Sequence, residues 1–167
     1  GQWFSAFTID KGTLNGIEIN DPVITSEGLV GVVVTTNLNT SVVSTILDPS
    51  VHVGCVVSQT GDIGITQGSR DLADDGEFEV GYLPKNSSVT TGNIIITTGS
   101  GGMFPKNINI GIVQRIEKSI SGNSVNAICT PMVDPSTVKN VFVITDFSGK
   151  DKSGTSSASA SSSKGGK

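Results

Sequence analysis

Apolar side chains in this chain arrive in short β-branched runs, each cut off by Gly, Pro, Asn or Asp, with no sustained helical period between them. About eleven such runs lie between Phe7 and Thr145: residues 7–10, 22–25, 29–35, 41–47, 52–58, 62–66, 77–82, 93–97, 111–118, 124–130 and 141–145. Strands of that length, separated by turn residues, predict an all-β sandwich or barrel. Regular helix has almost nowhere to form, and the nearest candidate is a turn at Asp134-Pro135-Ser136-Thr137.

Two blocks of the chain repeat an order of features. The first runs Pro22-Val-Ile-Thr25, Gly28, Gly31-Val-Val-Val34, residues 41–47, Asp48-Pro49-Ser50 and Val53-Gly-Cys-Val-Val57. The second runs Ile94-Ile-Ile-Thr97, Gly99, Gly111-Ile-Val113, residues 124–130, Asp134-Pro135-Ser136 and Val141-Phe-Val-Ile-Thr145. The shared content is turn chemistry: Gly opens the backbone, and Asp-Pro-Ser sets a tight corner through a side-chain acceptor and a preset φ. Two similar small β units are expected. Residues 58–91 either complete the first or join the two.

Composition agrees, since Val, Ile and Thr number 19, 17 and 17, against 6 Leu and 5 Ala, which excludes a mainly helical protein. The last 20 residues, from Ser148, hold 8 Ser, 4 Gly and 4 Lys and no large apolar side chain, so they are expected to remain a flexible, solvated tail. No apolar stretch approaches the roughly 20 residues that span a bilayer. There is no signal-peptide pattern, and Gly1-Gln-Trp-Phe4 reads as a mid-chain start, as in the soluble part of something larger. Residues 1–147 carry 7 basic and 14 acidic groups, an acidic balance that argues against nucleic-acid binding. Cys55 and Cys129 form no paired motif; small buried thiols are the favoured reading and a disulfide the alternative.

Candidate chemistry is sparse. Gly99-Ser100-Gly101-Gly102 resembles part of the nucleophile stretch of trypsin-like proteases, and His52 and Asp71, Asp74 or Asp75 supply the order His, Asp, Ser. Against this, Thr98 and Gly99 stand where that motif needs Gly and Asp, and His52 sits within an apolar strand pattern. The acidic group Asp71, Asp74, Asp75, Glu77 and Glu79 lacks calcium-loop spacing and reads as a solvated loop. One His and two separated Cys are too few for zinc. Met103-Phe104-Pro105 after the glycines opposes the helix a phosphate cradle needs. No cofactor, metal or catalytic set is expected; sheet edges and loop tips are better suited to binding.

A family resemblance rests on particular residues. Phe7-Thr-Ile-Asp10-Lys-Gly12, Asp21-Pro-Val-Ile-Thr25, Glu27-Gly-Leu-Val-Gly31, Leu47-Asp-Pro49, Tyr82-Leu-Pro84, Thr97-Thr-Gly-Ser-Gly-Gly-Met-Phe-Pro105 and Ile110-Gly-Ile-Val113 resemble the extracytoplasmic region of the rod shape-determining MreC family, from about Trp3 to Thr145. The resemblance implies two small six-stranded β-barrel-like units in tandem, reminiscent of trypsin-like barrels without a working triad. They are expected at residues 1–78 and 79–147, with an exchange of strands between them left open and a disordered tail at 148–167. It further implies a non-enzymatic scaffold of cell elongation on the outer side of the cell membrane, held by a single-pass segment missing from this chain. Its implied partners are a class B penicillin-binding protein, MreD and, indirectly, the actin-like MreB, together with other copies of itself as an oligomer or filament. Gly101, Gly102, Phe104 and Pro105 form the loop nominated for a protein contact, with Phe104 as a core plug the equal alternative. A serine hydrolase using Ser100 and His52, and a wall-binding β module, are the competing functions.

Overall fold

A computed structural model describes residues 5–152, and eleven strands lie within it close to the eleven expected runs. They are β1 (Ala6–Ile9), β2 (Pro22–Ile24), β3 (Leu29–Thr36), β4 (Ser41–Thr45), β5 (Gly54–Val57), β6 (Ile63–Gln67), β7 (Phe78–Pro84), β8 (Ile94–Thr97), β9 (Asn109–Lys118), β10 (Ser124–Pro131) and β11 (Phe142–Val143). One short helix, α1 (Arg70–Asp74), forms in the acidic loop, where Ser69 Oγ accepts the Leu72 N–H at 3.2 Å. Residues 134–137 make only a turn.

All strand pairs are antiparallel, and they divide into two sheets. Strands in the order β10-β7-β6-β5-β8-β9 close a six-stranded barrel, while β1-β4-β3-β2-β11 form a second, five-stranded sheet among the described residues. The sheets do not follow the chain in simple succession: the position 78/79 falls at the first residue of β7, inside the barrel, and β11 returns from the far end of the chain to the sheet of β1–β4.

The repeat explains that return. Block one supplies the neighbours β2-β3-β4 and block two the neighbours β8-β9-β10. Their closing strands are traded: β5 pairs with β8, with Val56 opposite Ile96, and β11 pairs with β2, with Phe142 opposite Ile24. Each trade passes an Asp-Pro-Ser corner of the same build. Asp48 Oδ1 accepts the Ser50 N–H at 2.8 Å and hydroxyl at 2.6 Å, and Asp134 Oδ1 accepts the Ser136 N–H at 2.9 Å and hydroxyl at 2.6 Å. The strand glycines of the two blocks also match in purpose, because a Cβ at Gly31 would lie 2.0 Å from the Ser44 carbonyl oxygen and one at Gly111 2.4 Å from that of Thr130.

Two apolar clusters hold the fold together. The larger fills the barrel with Cys55, Val57, Phe78, Val80, Leu83, Ile95, Ile110, Val113, Ala127 and Cys129, and continues into Leu29, Val32, Ile46 and Leu47 from the other sheet's part of the chain. The smaller joins Ile17, Val23, Val30, Val33 and Val43 to Val133, which follows β10. Of the segment expected to be a tail, residues 153–167 lie outside the described residues. Within 148–152, Lys150 Nζ reaches the buried Asp21 carboxylate at 3.1 Å.

Candidate interaction surface

The residues of the protease-like motif are not brought together. His52 is exposed just before β5, and its Nδ1 donates to the Thr66 carbonyl at 3.2 Å. Ser100 is exposed in a single 3-10 turn at Ser100–Gly102, where its N–H donates to Thr98 Oγ1 at 3.1 Å. Neither hydrogen-bonds to the other or to a carboxylate. The acidic group is likewise spread over different duties. Asp71 and Asp74 lie on α1, Glu77 takes both oxygens to Arg115 Nη1 at 3.1 and 2.8 Å, and Glu79 pairs with Asn126. Partial burial raises the Glu79 pKa above the usual carboxylate value, with the Asn126 hydrogen bond opposing and the Glu117 charge adding to the rise.

The nominated loop divides between interior and surface. Phe104 is 5% exposed and belongs to the barrel core, whereas Gly101 is exposed and Gly102 and Pro105 are half-buried. Thr97, itself buried, clamps the loop base, because its Oγ1 donates to the Pro105 carbonyl and accepts the Ile108 N–H at 2.9 Å. Cys55 and Cys129 are free and buried; burial pushes the Cys55 thiol up to about 12 and raises Cys129 as well.

The largest unexpected feature is an aliphatic band on the outside of the barrel. Strand alternation turns Cys55, Val57, Gly64, Thr66 and Ile95 inward, and therefore turns Val56, Ile63, Ile65, Ile94 and Ile96 outward. Across the ladder Ile63 stands opposite Val56, Val56 opposite Ile96, and Ile94 opposite Ile112, so the band crosses four adjacent strands. Ile63 is 65% and Ile65 41% exposed. The inward place between them admits no side chain, since a Cβ on Gly64 would meet the Gly81 carbonyl oxygen at 2.7 Å and Val80 Cγ1 at 2.8 Å. The alternation Ile-Gly-Ile and the triple Ile94-Ile-Ile96 carried this signal in the sequence, but only once the inward face was known.

The five-stranded sheet adds a second surface. Among the described residues its edge strands β1 and β11 each pair with one neighbouring strand. A cleft of about 470 Å3 is lined by Phe7 and Ile9 of β1, Val143 of β11, and Val138 and Val141.

Fold and surface together define an all-β module, a closed six-stranded barrel beside a five-stranded sheet, with an aliphatic band on the barrel's outer face. The model of the family described as rod shape-determining protein MreC, barrel core, matches residues 1–145, and the chain belongs to that family, one of cell-shape determinants rather than enzymes. The cell shape-determining protein MreC of Escherichia coli is 33% identical over 109 residues, covering 65% of this chain and 29% of that protein. That of Listeria monocytogenes is 29% identical over 145 residues, covering 85% and 48%. The chain thus spans less than half the length of these two relatives. Among solved structures, MreC from Pseudomonas aeruginosa superposes with a TM-score of 0.77 at 20% identity, covering 86% of this chain and 90% of that one. A complex between the penicillin-binding protein PBP2 and MreC from Helicobacter pylori contains a chain that matches with a TM-score of 0.62 at 15% identity, covering 76% and 79%.

Proposed function

We propose that this chain is the extracytoplasmic β region of a scaffold that holds a peptidoglycan synthase in place during cell elongation, and that it performs no chemistry itself. The observation that carries the reading is the aliphatic band of Val56, Ile63, Ile65, Ile94, Ile96 and Ile112, laid across a rigid barrel. Such a band, exposed at Ile63 and Ile65 and half-buried at Val56, Ile94, Ile96 and Ile112, favours docking of a partner that can dry it. The partner proposed is a penicillin-binding protein of class B, in line with the penicillin-binding protein named in the Helicobacter pylori complex. MreD and, through it, the actin-like MreB would be engaged by the whole membrane-anchored protein. No helix among the described residues is long and apolar enough to cross a membrane. Anchoring by a single-pass segment outside this chain is proposed on the family resemblance alone. Contact between copies is assigned to β1, an edge strand of the five-stranded sheet among the described residues, as the place for an oligomer or filament.

The test is binding of the purified chain to a class B penicillin-binding protein from the same cell, followed by biolayer interferometry. Ile63→Asp should weaken binding by about tenfold or more, as expected for a charge buried at the centre of an apolar contact, while leaving the unfolding midpoint close to that of the parent. Unchanged binding by Ile63→Asp and Ile96→Asp would rule out the band as the docking face.

A further inference from the structure

We infer that residues 145–152 form a latch that bridges the five-stranded sheet and the barrel across the cleft beside Ile19 and Met103. Lys150 Nζ bonds Asp21 Oδ1 at 3.1 Å and the Thr145 carbonyl at 2.6 Å. Asp21, immediately before β2, has a side chain only 1% exposed, and its other oxygen accepts the Glu18 N–H at 2.8 Å. The very next residue reaches the other sheet: the Asp151 N–H donates to the Gly102 carbonyl, in the loop between β8 and β9, at 2.9 Å. Two consecutive residues therefore hold two different sheets. Beside them lies a cleft of about 610 Å3, walled on one side by Lys150 and Asp151 and on the others by Ile19 and Met103.

The physical balance makes this a device that can open. A carboxylate taken out of water needs its cation, so Asp21 pulls Lys150 home. Residues 148–152 bring no large apolar side chain to the contact, and polar contacts, among them the ion pairs Lys150–Asp21 and Lys152–Asp146, order them. Such a segment belongs to the low-stability end of a fold and can release without unfolding either sheet. Release would uncover Ile19 and Met103, already 56% and 44% exposed, while the core that Leu29, Val32, Ile46 and Leu47 share with the barrel keeps the two sheets together. The inference goes beyond the proposed function and stands or falls separately from it.

Hydrogen exchange by mass spectrometry on the whole 167-residue chain tests it. In Lys150→Met, peptides covering residues 145–152, 17–22 and 100–106 are expected to exchange about tenfold faster, with β7 and β10 unchanged. Lys150→Arg keeps the cation and should stay near the parent. The double variant Asp21→Asn/Lys150→Met removes the buried charge, so that folding is secure while residues 145–152 remain fast. Parental rates at 145–152 in Lys150→Met would overturn the latch. So would acceleration confined to 145–152 with 100–106 untouched, or acceleration spread evenly through β7 and β10.

Discussion

Phe104 shows how far a single residue's role depends on what surrounds it. Its neighbours Gly101, Gly102 and Pro105 read as a loop built for contact, yet its ring lies in the barrel core. Phe104→Ala should therefore cost about 3–5 kcal/mol in denaturant unfolding, the range for emptying an aromatic site, rather than weaken association in a stable protein. The cysteines make a second test. With both thiols buried and their ionisation suppressed, neither should react with a disulfide reagent at neutral pH until the chain unfolds. The sign of the pH effect follows. The folded pKa is raised, so this contribution to stability is complete below the ordinary thiol value of about 8.5 and drains away as pH climbs from there toward about 12. Guanidinium midpoints across that window measure it. His52 and Ser100 had the right order along the chain for a hydrolase, but order is not distance, and strand pairing sends each to a different bond.

Among the elements, the strands were the most legible part, because β-branched residues interrupted by Gly and Pro leave the backbone little else to do. Helix α1 was harder to see, since five residues capped by Ser69 have no amphipathic period to announce them. The twin Asp-Pro-Ser corners were visible as a repeat, and their bonding proves alike. Asp48→Ala and Asp134→Ala should each lose about 1–2 kcal/mol, two modest hydrogen bonds apiece, and by similar amounts in the same denaturation assay. A large gap between the two would mean that the corners differ in what they hold. The aliphatic band lies at the other extreme. Alternation says that Ile63 and Ile65 share a face, but only the filled barrel behind Gly64 says that this face is the outer one.

For the whole molecule, the decisive fact is the exchange of β5 and β11 between the repeated blocks. The barrel strands β5–β10 are continuous in sequence, whereas the five-stranded sheet needs β11 and Val133 from the far side of the barrel. A chain ended at Pro131 should therefore keep a cooperative barrel, seen as slow exchange in β7 and β10, while amides of β2 and β3 lose protection. Protection of β2 and β3 surviving that truncation would show that the sheet does not depend on its returning strand. The chain by itself settled the all-β class, the strand positions, the paired corners and the family, because these rest on local backbone preference and on residue order. Which strands meet, which isoleucines face solvent, and that Lys150 is bound to Asp21 were settled only in three dimensions. Each of those depends on groups far apart in sequence, such as Asp21 and Lys150 with a separation of 129 positions, and a local pattern carries no record of such a pairing.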